Sequence, residues 1–178
     1  MGGHRRGSPD PVALLDCGRN RRILSPRGWA ETYGSLIDPA VLRKHLDPKR
    51  ELVALRKAAA QPDTILLVVQ DPSGQIAGFA LAFLARQPEP LLESLHVLRE
   101  LQSRGVGALL LRAIAVRIQA RGQKSMRLGV IAGNAGAARF YQRLGGTFAG
   151  LEPTGWAEGV WHEVYRWPDI SVLTRDIA

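Results

Sequence analysis

Leu91-Leu92-Glu93-Ser94-Leu95-His96-Val97, then Leu98-Arg99-Glu100-Leu101, then Gln102-Ser103-Arg104-Gly105-Val106-Gly107 is the stretch on which the fold turns. The first seven residues read as a strand, with Leu91, Glu93, Leu95 and Val97 on one face and His96 on the other. Residues 105–121 read as an amphipathic helix whose stripe is Leu109, Leu110, Ala113, Ile114 and Val116, with Arg112, Arg117 and Arg121 away from it. Two glycines spaced by one residue at a helix start leave room for a ligand against the backbone. Free N–H groups in that first turn, aided by the helix dipole, favour an anion. Arg99 and Arg104 add positive charge, so the physical reading is a phosphate or pyrophosphate cradle. The alternative is that Gly105 and Gly107 only permit close helix–strand packing. A P-loop would need a Gly-Lys-Ser/Thr that is absent, and a dinucleotide fingerprint would need glycine where Leu110 stands.

Working outward, Thr64–Gln70 and residues 76–85 read as a hairpin around Asp71-Pro72-Ser73-Gly74, closed off by Pro88 and Pro90. Downstream, Met126–Ile131 reads as a strand and residues 135–144 as a helix ended by Gly145-Gly146. Residues 147–149 begin another strand, and residues 161–166 form a last one stopped by Pro168. Upstream, residues 28–60 carry two or three short helices broken at Pro39 and Pro48. Residues 1–27, rich in Gly, Pro and Arg, read as a mobile basic arm ahead of one folded domain at 28–178. The expected class is mixed α/β (α+β) in a single domain.

The 178 residues are 46% hydrophobic and carry a net charge of +8. Residues 76–85, the longest uncharged apolar run, reach about half of the ~20 residues that a membrane helix needs. Cys17 is the only cysteine, which excludes an internal disulfide and a multi-thiolate metal site. A soluble cytoplasmic protein with no metal and no membrane partner is expected. The excess charge is concentrated: residues 1–27 hold six Arg against Asp10 and Asp16, and residues 99–127 hold seven basic residues against Glu100 alone. The second island points to a polyanionic partner. Nucleic acid is the competing partner, but no aromatic stripe interleaves the Arg residues and no nucleic-acid motif is present.

The order Gln102-x-x-Gly105-x-Gly107, basic helix, strand, then Asn134, Ala137, Ala138, Phe140-Tyr141, Leu144 and Gly145 resembles the GNAT superfamily of N-acetyltransferases. Leu92–Val97 resembles the strand that precedes that family's acetyl-CoA motif. The likeness runs clearly through residues 64–149 and weakly through Trp29-x-x-x-Tyr33 and residues 161–169. It implies a GNAT-like twisted mixed β-sheet flanked by helices, with Leu91–Val97 and Met126–Ile131 splaying to admit acetyl-CoA. The pyrophosphate would meet the N–H groups of Arg104, Gly105, Val106, Gly107 and Ala108, with Gln102 at the loop entry. The pantetheine arm would pair near Leu95 and Val97 and touch Asn134. One departure is Gly145-Gly146-Thr147 where the family usually has Gly-Phe, with Phe148 as a candidate for the missing aromatic.

The implied chemistry is direct attack of a primary amine on the thioester. A protonated amine cannot attack, so a base must take its proton. Glu93, the only acid on the central strand, is the candidate base; His96 is the weaker candidate, more readily structural. The Val97 N–H would hold the oxyanion, and Tyr141 corresponds to the family's tyrosine facing the departing thiolate. The acceptor would lie near Trp29, Tyr33 and Trp156, with Glu152 and Glu158 attracting a cation. The acceptor's identity and a homodimer are left open, and a catalytically silent CoA-binding domain is the second alternative.

Overall fold

Aliphatic and β-branched runs separated by turn residues build the sheet. In the computed structural model, which describes residues 33–45 and 47–175, β1 (Thr64–Gln70) and β2 (Ile76–Phe83) pair antiparallel. Asp71 holds their turn, its carboxylate accepting from the N–H of Ser73 (2.8 Å) and of Gln75 (3.0 Å). β3 (Leu91–Val97) adds antiparallel to β2, and β4 (Met126–Ile131) lies parallel to β3. β6 (Trp161–Trp167) follows antiparallel to β4, and β5 (Thr147–Pro153) forms the outer edge, giving the order β1-β2-β3-β4-β6-β5. With α1 (Pro39–His45), α2 (Pro48–Ala59), α3 (Val106–Gln119) and α4 (Ala135–Arg143), this is the mixed, helix-flanked single domain expected. Among the described residues no helix is long and apolar enough to cross a membrane. The arm at 1–27 and Trp29 lie outside the described residues.

The helices divide between the sheet's two faces. On one, Leu110, Leu111, Ile114, Ala115 and Ile118 of α3 and Tyr141 of α4 pack with Ala80, Leu92, Met126, Leu128, Tyr165 and Trp167. The other face is covered by α2, with Leu55 on Ile76, Phe79 and Leu81, and by α1, with Leu42 beside Ile131. The α3 stripe is thus rotated from the one expected, since Leu109 and Val116 are exposed. At the helix start Leu110 and Val106 pack closely over Gly78, where a Cβ would lie 3.0 and 3.4 Å from them.

Two irregularities position the site. The β2–β3 register passes from Leu81↔Ser94 to Ala82↔Leu92, leaving Glu93 as the extra residue of a bulge. The bulge breaks simple alternation: Leu92, Leu95 and Val97 all pack toward α3, whereas His96 turns to the α2 face and lies 5.0 Å from the Phe79 ring. Glu93 therefore does not share a face with Leu95 and Val97, and it does not oppose His96. The second irregularity is that β3 and β4 pair only at Leu91↔Arg127 and Leu92↔Leu128. Beyond that point the strands part and leave a fork in the middle of the sheet.

Candidate functional site

The fork exposes the β3 backbone. Leu98 N–H donates to the Ala77 carbonyl on β2 (3.0 Å), so strand alternation turns the amides of Val97 and Leu95 toward the gap. Gln102 donates its side-chain amide to the Val97 carbonyl (3.2 Å), tying the following loop to the end of the strand. The loop then bends through Ser103 (φ 60°) and Gly105 (φ 84°) into α3. The first bond of that helix runs from Leu109 N–H to the Gly105 carbonyl (2.9 Å), and Gly105 supplies no side-chain cap. The N–H groups of Val106, Gly107 and Ala108 thus precede the helical ladder, in the geometry that receives an anion.

The two glycines answer to different local demands. A Cβ on Gly105 would meet nothing within 4 Å, so its glycine answers to a left-handed backbone rather than to packing. A Cβ on Gly107 would come within 3.2 Å of Phe140 and 3.7 Å of Leu95, so there glycine serves close packing of α3, α4 and β3. Gly105→Ala should cost about 1–2 kcal/mol through the left-handed conformation alone, read as a lower thermal midpoint. Asn134 has a local task as well, its side-chain oxygen capping α4 from Ala137 N–H (3.1 Å).

Tyr141, on the inner side of α4, is buried and ringed by Phe140 (4.9 Å between centroids), Trp167 (6.0 Å) and Tyr165 (6.4 Å). Burial raises its pKa, and Tyr33 raises it further. Tyr33 belongs to the cluster of Ile37, Leu42 and Ile131 beside α1. Burial raises the Tyr33 pKa too. Gly146 runs beneath Trp167, where a Cβ would lie 2.7 Å from the indole, and the indole N–H donates to the Leu144 carbonyl (2.9 Å). Trp167, not Phe148, fills this space; Phe148 is 55% exposed beside Tyr165.

On the other face, Glu93 stands at the bulge under α2. One helical turn before the buried Leu55 is Glu51, which sequence reasoning passed over. Burial, and then the neighbouring Glu93, hold the Glu51 carboxyl above its usual range. His96 is kept neutral by burial, its pKa pulled down to about 4. Across the fork, His162 on β6 covers Gly129 on β4, a second residue that sequence reasoning missed. The signal available was its place opposite Glu152 once the β5–β6 hairpin is drawn. Glu152 is held by Arg127 Nη1 at 2.9 and 3.1 Å, so its charge is partly answered within the protein. Trp156 and Glu158 line a cavity of about 440 Å³ in the β5–β6 loop, next to Val160, which packs on the α1 cluster with Tyr33. Among the described residues no group of His, Cys, Asp and Glu could hold a metal ion.

A model of the acetyltransferase (GNAT) family matches residues 29–146, well over half of the chain. Among solved structures, nourseothricin acetyltransferase is 27% identical with a TM-score of 0.56, over 61% of this chain and 66% of its own, just under two thirds of that protein's length. The paia N-acetyltransferase of Thermoplasma acidophilum, solved with coenzyme A, has a TM-score of 0.63 at 16% identity over 80% of this chain and 87% of its own. An N-acetyltransferase of Staphylococcus aureus has a TM-score of 0.59 at 19% identity over 81% and 92%. The last two are likenesses of fold. No curated protein sequence matches this chain. A forked mixed sheet, an uncapped helix start beside the fork and the family match lead to one conclusion: the chain belongs to the acetyltransferase (GNAT) family.

Proposed function

We propose that residues 28–178 form a domain that transfers an acetyl group from acetyl-CoA to a primary amine. The observation that carries this is the fork between β3 and β4, with uncommitted amides on one wall and an uncapped helix start at its mouth. Acetyl-CoA lies in the fork, its pyrophosphate on the N–H groups of residues 104–108 and its pantetheine arm along Leu95 and Val97. Gln102 shapes the loop, and Arg104 adds charge beside it. Asn134 closes the far wall. The Val97 N–H meets the oxyanion, Glu93 takes a proton from the amine, and Tyr141 donates a hydrogen bond to the departing sulfur. The amine enters from the face of α1 and α2, past Tyr33 and Trp156; Trp29 is assigned to the acceptor site from the family likeness alone. Binding of coenzyme A by the Thermoplasma relative supports the cosubstrate.

Thermal denaturation with acetyl-CoA tests the first half. Ligand at ~100 times Kd stabilises by about 2.7 kcal/mol. The midpoint should rise by roughly 5–11 °C, at about 2–4 °C per kcal/mol for a chain of this size. No rise at saturating cosubstrate would overturn the proposal. Thiol release with spermidine, a lysine peptide, a peptide with a free N-terminus and nourseothricin then tests the second half; turnover of at least one is expected.

A further inference from the structure

His162 stands across the fork from Glu93 with no part in the steps above. The last paired residues of β3 and β4 are Leu92 and Leu128, so the next residues, Glu93 and Gly129, flank the point of parting. The space over Gly129 is occupied: a Cβ there would lie 2.8 Å from both Cγ and Nδ1 of His162. The imidazole thus rests on the β4 backbone at the fork. It lies on the face of Ile131 and α1, which is also the face of α2, Glu51 and Glu93. Glu152 lies directly opposite His162 in the β5–β6 register, and Arg127 grips Glu152 at 2.9 and 3.1 Å.

We propose that His162 is a second proton acceptor in the amine groove, working across the fork from Glu93 and held in place by Glu152 and Arg127. The inference rests on the amine acetylation proposed above. A primary ammonium has three N–H bonds and the amide product one, so two protons must leave nitrogen. One goes to Glu93, freeing the lone pair. The C–N bond forms as the carbonyl π pair moves to oxygen, and the second proton goes to His162. The oxygen pair then returns to re-form C=O as the C–S bond breaks with its electron pair on sulfur. Both protons pass to water, and the released thiolate regains one from water. Burial lowers the His162 pKa and Glu152 partly offsets this, so the ring is neutral near pH 7 and able to accept. Among the described residues, the charged or titratable groups near this face include Arg127, Glu152, Glu93, His96, Glu51 and Tyr33, together with Arg166, which is ion-paired with the buried Glu89.

The test is the pH dependence of kcat for His162→Gln in the full chain, with acetyl-CoA and whichever of the four amines the wild type acetylates fastest. Turnover should fall at least tenfold, and the acid limb of log kcat should lose one unit of slope, while stabilisation by acetyl-CoA is unchanged. Wild-type turnover with an unchanged slope overturns the inference. Failure of the underlying reading looks different, because the wild type would then acetylate none of the amines. Should His162→Gln not fold, Glu152→Gln, on an exposed part of β5, removes the anion that raises the His162 pKa. The acid limb should then move to lower pH, and an unmoved limb overturns the inference.

Discussion

Tyr141→Phe should lower kcat by between about tenfold and a hundredfold with little change in the KM for acetyl-CoA. A hydrogen bond to a charged group contributes about 1.5–3 kcal/mol, which at ~1.4 kcal/mol per decade is the range expected here. Complete proton transfer is the wrong description of the step. An ordinary tyrosine pKa of ~10 already exceeds a thiol's ~8.5. Burial and Tyr33 raise the Tyr141 value further. In the proposed reaction the phenol therefore keeps its proton and stabilises the developing thiolate as a donor. The packing around the ring survives the substitution, since Phe retains the contacts to Phe140 and Trp167. Steady-state kinetics beside a melting curve separate the two effects, and unaltered turnover would remove Tyr141 from the mechanism.

Trp167→Ala should cost about 3–5 kcal/mol, the range for deleting a large aromatic from a core. The indole is wholly buried, closes over Gly146, packs edge-on against Tyr141 and satisfies the Leu144 carbonyl at the end of α4. Its removal leaves a cavity and an unpaired carbonyl together. The midpoint should drop by roughly 6–20 °C at about 2–4 °C per kcal/mol. The converse substitution, Gly146→Ala, drives a methyl against the same indole and the Tyr141 carbonyl, and should destabilise by about 1–3 kcal/mol.

Local signals were legible in the sequence wherever a segment's own residues decide its state. The β1–β2 turn, the α3 start at Gly105 and the strand nature of Leu91–Val97 follow from composition and spacing. Features decided by a distant partner were not. The bulge at Glu93 exists because β2 passes from Leu81 to Ala82 opposite it, and nothing in Leu91–Val97 alone announces it. β5 runs on to Pro153 although it is exposed along nearly its whole length, because pairing with β6 rather than burial holds it. The departure at Gly146 is accompanied by Trp167, which comes from the last strand and lies where a Cβ on Gly146 would stand. Glu51 and His162 give no local signal for the same reason: each gains its neighbours only through the fold.

The two paired positions between β3 and β4 have a further consequence. A sheet normally confines its raw, hydrogen-bonding borders to the outside, where another chain can add to them. Here two such borders face each other within one sheet. Each is only a few residues long, and they diverge from a shared root. An extended ligand that carries its own amides would complete such a border through backbone hydrogen bonds alone, so filling the gap asks nothing of the side chains along it.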